Sequence, residues 1–291
     1  MNPLIRVIKN IALQLSPPFL SNWARKMFLK PAVLPVDDVS FSGRYKSWQE
    51  ALREAEGYDD SRILERVSTA AQTVRDGKAL FERDSVLFHT PDYNWPLLSA
   101  LLFVMAESSG NLNLIDFGGS LGSTYFQNRS LLKQIGTVRW NIVEQENFVE
   151  LGKAQFQNEE LFFSPSLEAA LASAPAKVIL VSSTLQYLED PFGVIETIIS
   201  KGFTYIILDH LAFVEGSEEI ITLQNTPSSI YKASYPAWFF NYPRFVERLE
   251  KDYIVIFDFN SHINPCRDVN GKKGYWKGML LRKKAIKQNE K

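Results

Sequence analysis

Cysteine is nearly absent: Cys266 stands alone among 291 residues. The chain can therefore build no internal disulfide and no cysteine-based zinc site, which suits a reducing, cytoplasmic compartment. Histidine is scarce too. His89, His210 and His262 lie far apart and show no metal-ligand spacing, so no metal is expected. Net charge is close to nil, 32 Lys+Arg against 33 Asp+Glu giving −1, which speaks against general nucleic-acid binding. No apolar run reaches the roughly 18–20 residues of a membrane-spanning helix. Internal repeats and low-complexity tracts are missing as well. What the chain does have is 45% hydrophobic and 22% charged residues, enough for a sizeable core.

The first 36 residues carry five Lys/Arg and no Asp/Glu. Leu4, Ile5, Ile8, Ile11, Ala12 and Leu15 recur at helical spacing, and Pro17 and Pro18 stop the pattern. Arg6, Lys9 and Asn10 interrupt the apolar positions, and no small-residue cleavage pattern follows, so this is not read as a signal peptide. Two readings stay open for this amphipathic helix: peripheral contact with a membrane surface, or packing on the protein's own body. "SWQEALREAEGYDDSRILERVSTAAQTVRDG" reads as a helical pair, with Ser47 and Glu50 forming a capping box. Residues 1–85 are thus expected to form an N-terminal helical extension, 86–285 the main domain and 286–291 a basic tail.

From residue 111 strand and helix signals alternate. "LNLIDFG", "VRWNIVEQ", "LFFSPS", "AKVILVSS" and "YIILDHLAF" read as strands, with helical segments between them. "PAWFFNYPRFVERLEKD" reads as a further helix. "YIVIFDFN" and "GYWKGMLLRK" close the chain as a hairpin-like pair. Alternation of this kind predicts a parallel sheet with helices on both faces and a partly antiparallel edge.

The stretch "NLNLIDFGGSLGSTYF" places an acid, Asp116, directly before Gly118, Gly119 and Gly122. Such a strand–loop–helix is where open α/β sheets bind ligands, because glycines let backbone N–H groups approach closely. Dinucleotides normally use G-x-G-x-x-G, which is lacking here. A pyrophosphate about 4 Å from Asp116 would be repelled by about 1–4 kcal/mol at surface-like dielectrics. S-adenosylmethionine carries a sulfonium and an ammonium group instead, and a nearby carboxylate favours it. Glu144, at the end of the second strand, is placed to accept hydrogen bonds from both ribose hydroxyls.

These residues carry a resemblance. "LIDFGGSLGSTYFQNRSLL", "WNIVEQENFVELGK", "VSSTLQYLEDP" and "YPAWFF" resemble class I S-adenosylmethionine-dependent methyltransferases, whose fold is a Rossmann-like seven-stranded sheet. More narrowly, with "SWQEALREAEGYDDSRILERV" and "TLQNTPSSIYKASYP", they resemble a bacterial family associated with surface-polysaccharide and O-antigen biosynthesis. The resemblance spans approximately residues 40–284. It implies that Asp116, Gly118, Gly119 and Gly122 surround the methionine part of the cofactor. It further implies that Glu144 holds the ribose, that Gln145 borders the adenine with Ser164 or Ser166, and that Ser183 and Gln186 lie beside cofactor and reactants. The acceptor implied is a small molecule or a glycan. Where the resemblance leads one to expect an Asp-Arg-Thr-like stretch after the fifth strand, this chain has "LDHLAF".

Methyl transfer to a sugar oxygen gains from a general base. His210, at the carboxyl end of the fifth strand, is the first candidate, and a histidine satisfying backbone groups in the turn is the alternative. His262 is a second candidate. Cys266 reads as a small buried filler. "PSSIYKASYPAWFF" reads as a substrate lid. Two rival functions stay open: an NAD-dependent sugar-modifying enzyme, and a non-catalytic version of the fold serving as an interaction or membrane-docking module. Oligomeric state is left unassigned.

Overall fold

The computed structural model describes residues 39–55, 60–83, 85–226, 233–263 and 266–285. The amphipathic segment and the basic tail expected at the two ends lie outside these residues. No helix among the described residues is long and apolar enough to cross a membrane.

The strands are β1 (Ser40–Tyr45), β2 (Phe81–Arg83), β3 (Val86–Phe88), β4 (Asn111–Phe117), β5 (Thr137–Val143), β6 (Leu161–Ser164), β7 (Val178–Ser182), β8 (Tyr205–Val214), β9 (Ile220–Thr226), β10 (Ala233–Phe239), β11 (Tyr253–Asn260), β12 (Arg267–Val269) and β13 (Lys272–Lys283). The helices are α1 (Trp48–Glu54), α2 (Asp60–Arg75), α3 (Trp95–Glu107), α4 (Ser123–Ile135), α5 (Glu146–Gln155), α6 (Leu167–Ser173), α7 (Pro191–Lys201) and α8 (Tyr242–Leu249).

The central sheet runs β11-β13-β8-β7-β4-β5-β6, with β12 paired beside β13. β6, β5, β4, β7 and β8 are parallel; β13 is antiparallel to both β8 and β11. The expected alternation and antiparallel edge are therefore present. Inward positions of the strands are almost wholly apolar, as a sheet covered on both faces requires. One face packs Leu114, Trp140, Ile142, Leu180 and Ile207 against α2, α3, α4 and α5. The other packs Ile115, Val143, Val181, Leu208 and Met279 against α6, α7 and α8. Each fully buried large side chain contributes about 1.5–3 kcal/mol, so the two layers fix the carboxyl ends of β4, β5, β7 and β8 along one edge.

Four expectations change. The described residues between 40 and 83 are not a purely helical extension: they include β1 and β2, and Ala71, Val74 and Ala79 belong to the main core. β1 pairs with β9, and β9 with β10, in a second, antiparallel sheet of three strands. The first part of "PAWFFNYPRF" is β10 rather than helix. β10 pairs only with β9 within that sheet, so Pro236 sits on an edge strand, where its missing N–H costs no ladder bond. The same pairing removes the lid reading for Ala233–Phe239; residues 227–232 lie outside the described set. Cys266 is exposed, not buried.

Candidate active site

The strand order reverses between β4 and β7, the crevice where open α/β sheets take ligands. β4 ends at Phe117, paired with Val143 of β5. The glycine loop follows at once. Gly118 N–H donates to the Val143 carbonyl at 2.9 Å, and Gly122 N–H to the Gly119 carbonyl at 3.1 Å. Gly118 has φ +76°, and a Cβ there would lie 2.3 Å from Thr184 Oγ1. That hydroxyl bonds the carbonyls of Phe117 and Ser182 at 3.3 and 2.9 Å, tying the β7 turn across the loop. A Cβ on Gly119 would lie 2.5 Å from Asp116 Oδ2. Gly122 is the N-cap of α4 and supplies no side-chain cap, so the helix start offers first-turn N–H groups of the kind that suit an anion.

Asp116 is 1% exposed. It lies beneath the loop rather than open on its surface. Trp140 Nε1 donates to Oδ2 at 2.9 Å. Burial pushes this carboxyl up to about 7; the Trp140 bond opposes the rise and the Glu144 charge adds to it. Near neutrality Asp116 is thus poised between its two forms, and a cation above the loop favours the charged one.

Glu144 follows β5 directly. Its carboxylate accepts from Ser120 N–H at 3.2 Å and from Gln145 N–H at 2.9 Å. Burial raises its pKa, and these two N–H groups counter it. Gln145 is the N-cap residue of α5 and is exposed. Ser166 caps α6, accepting from Ala169 N–H at 3.1 Å, and the Ser164 hydroxyl donates to Asn141 Oδ1 at 3.0 Å. Both serines therefore carry structural bonds at the positions expected to border adenine.

At the end of β7, Ser183 has φ +53° and bonds the Asp209 carbonyl through its N–H at 3.0 Å. Gln186 is 1% exposed and donates to the His210 carbonyl at 3.1 Å and to Ser183 Oγ at 3.3 Å; its Oε1 is buried without a partner among the described residues.

His210 lies inside β8, not after it. The β13–β8 register slips there: Leu211 faces Lys277 but Leu208 faces Met279. Asp209 and His210 together oppose Gly278, a β-bulge of the kind that re-aims side chains beside sites. His210 takes φ +51°, and its ring stacks on Trp276 with centroids 5.9 Å apart. Burial, aided by the Arg83 charge, pushes its pKa down to about 4, so the ring is neutral at physiological pH.

Several residues went unread in the sequence. Asp209 is buried, and its Oδ2 accepts from Ser182 Oγ and Asn94 Nδ2, each at 3.0 Å. Asn94 also caps α3, accepting from Leu97 N–H at 3.2 Å. Glu82 of β2 is buried, accepting from the Ser123 hydroxyl at the start of α4 and from Ser85 N–H at 2.9 Å. Asp92 bonds His262 Nε2 at 2.8 Å and pairs with Arg83 at 3.4 Å. A cap signal could have flagged Asn94, which precedes Trp95–Pro96; the others have no local signature. No group of three or more His, Cys, Asp or Glu side chains placed to hold a metal occurs among the described residues.

No family model matches the sequence, and no curated protein matches it. Among solved structures, the chain is similar to the N-terminal domain of EvdMO1, crystallised in the presence of SAH and D-fucose: 14% identity, 78% of this chain and 98% of that one, TM-score 0.45. It is similar to magnesium protoporphyrin IX methyltransferase from Synechocystis PCC 6803 with bound SAM: 13% identity, 65% and 79% coverage, TM-score 0.39. It is also similar to the mitomycin 7-O-methyltransferase MmcR: 13% identity, 77% and 62% coverage, TM-score 0.37. Likeness at this level carries no conclusion about the site, whose chemistry is read from its own residues.

Proposed function

We propose that the chain is an S-adenosylmethionine-dependent methyltransferase. The observation that carries this reading is the pairing of two carboxyl groups with the glycine loop: Asp116 directly beneath it, and Glu144 bonded to its Ser120 N–H. Two acids at one loop disfavour a pyrophosphate and favour a sulfonium and an ammonium group. In this reading the uncapped start of α4 takes the methionine carboxylate. Glu144 takes the ribose hydroxyls, and the Gly118–Gly119 turn lets the ligand lie against backbone. The bound donor supplies the methyl group and the leaving sulfur; the chain supplies alignment along the transfer axis.

The acceptor side falls above β7 and β8, where Ser182, Asp209 and His210 meet the start of α3. Trp95 is 59% exposed there, and its ring lies 5.1 Å from that of Tyr93. Together they offer an amphipathic aromatic face suited to a sugar ring. With the resemblance drawn from the sequence, this supports oxygen methylation of a glycan or glycan precursor in surface-polysaccharide biosynthesis.

Amide-resolved NMR with S-adenosylhomocysteine tests the placement. The expected result is perturbation of Ser120, Ser123 and Gln145. Binding that leaves these amides unmoved while shifting others would overturn it.

A further inference from the structure

Beyond the bulge at His210, four segments converge at the acceptor edge. β11 runs in the same direction as β8, since each is antiparallel to β13. Its end therefore emerges at the carboxyl edge of β7 and β8. Ser261 N–H donates to the Trp276 carbonyl at 3.1 Å, which brings the backbone of the next residue, His262, alongside β13 at Trp276. His262 Nε2 lies 2.8 Å from Asp92 Oδ1, with the imidazole side chain 26% exposed. Asp92 Oδ2 meets the Arg83 guanidinium at 3.4 Å, and Gln127 of α4 holds the Asp92 carbonyl at 2.6 Å. Two residues on, Asn94 holds Asp209. The segment 92–94 thus spans from His262 to the bulge of β8. The charges facing this edge act on one another across it: His262 on Asp209, and Arg83 on His210.

We propose that His262, oriented by Asp92, is the catalytic base that takes the proton of the acceptor hydroxyl; this rests on the methyltransferase reading above. With Nε2–H donated to Asp92, Nδ1 keeps its lone pair and has no hydrogen bond among the described residues. As the acceptor oxygen bonds to the methyl carbon, the carbon–sulfur bond breaks and its electron pair stays on sulfur. The hydroxyl proton passes to His262 Nδ1. Alcohol, sulfonium and imidazole become ether, thioether and imidazolium, and Asp92 steadies the new cation. His210 is poorly suited to this step: stacked on Trp276 and pushed down to about 4, it holds a proton too weakly at neutral pH. Asp92 is the positioning residue.

The test needs no acceptor. Sinefungin places an amine where the donor carries its methyl group, and S-adenosylhomocysteine places nothing there. The His262 ring is titrated by proton NMR with each ligand bound, its signal assigned with His262→Gln, and exposed His89 serves as the internal control. Sinefungin is expected to lower the His262 midpoint by about one pH unit relative to S-adenosylhomocysteine, as a like charge within reach does, with His89 unmoved. If both ligands bind and the His262 midpoint is the same with each, the assignment is overturned while the methyltransferase reading stands. If neither ligand binds, that reading fails and the base assignment falls with it.

Discussion

The indole of Trp140 on β5 donates to the carboxyl of Asp116 on neighbouring β4 at 2.9 Å. That bond fixes where the acid of the glycine loop sits. Trp140 is fully buried, so Asp116 is held inward, under Gly119, and its charge would reach a ligand through the loop rather than across open water. The low dielectric around it enlarges that action. It also raises the carboxyl's pKa to about 7.

The first prediction concerns ligand charge. S-adenosylmethionine and S-adenosylhomocysteine share every titratable group and differ by the sulfonium. The ratio of their affinities should therefore rise in favour of the sulfonium form between about pH 6 and pH 8, as Asp116 ionises. Asp116→Asn should flatten the ratio across the same range. Calorimetry at both pH values measures it; a flat wild-type ratio would contradict the role given to Asp116.

A second prediction concerns stability. The folded pKa of Asp116, about 7, exceeds the ordinary aspartate value of 3.8. Between these values the folded chain holds a proton that the unfolded chain has lost. Stability contributed at this site therefore falls as pH rises through that window, by on the order of 4 kcal/mol in total. Asn keeps an acceptor for Trp140 and has no proton to lose. Asp116→Asn should gain on the wild type in denaturant midpoint from pH 5 to pH 8. An equal difference at both pH values would count against the raised pKa.

The loop's backbone makes a third. Gly118→Ala puts a methyl group on a residue at φ +76° and within 2.3 Å of Thr184 Oγ1. The cost should be about 1–3 kcal/mol of stability from backbone strain, with loss of S-adenosylhomocysteine binding. A variant melting and binding like the wild type would mean that the turn opens freely.

Glu144→Gln tests the ribose contact. The amide keeps an acceptor for Ser120 N–H but gives up a charge-assisted bond, about 1.5–3 kcal/mol, or roughly 10–150-fold in affinity for S-adenosylhomocysteine. Unchanged affinity with the fold retained would move the ribose elsewhere.

Much of this was legible in the sequence for local reasons. The strand–helix alternation and the D-F-G-G-S-L-G turn are runs of adjacent residues with their own periodicity and backbone demands. The segment 233–239 was not: aromatic residues on a short strand look like a helix face when the sheet the strand joins is completed by β1, far back in the chain. β1 pairs with β9 across some 180 residues, Ser40 facing Asn225. The acceptor edge was hidden for the same reason. His262 and Asp92 are separated by 170 positions, and neither neighbourhood announces the other. His210 was read at the right edge, but its environment was not visible: the bulge opposite Gly278 and the Trp276 stack depend on β13, nearly seventy residues downstream. Asp116 stands out in the sequence by type and position, while its burial depends on Trp140, whose indole nitrogen no local pattern ties to β4.

The most direct measurement is titration calorimetry of the purified chain with S-adenosylhomocysteine and, separately, with NAD. The account predicts one-to-one binding of S-adenosylhomocysteine in the micromolar range, weakened by Glu144→Gln, and no heat from NAD. Binding of NAD with indifference to S-adenosylhomocysteine would contradict it.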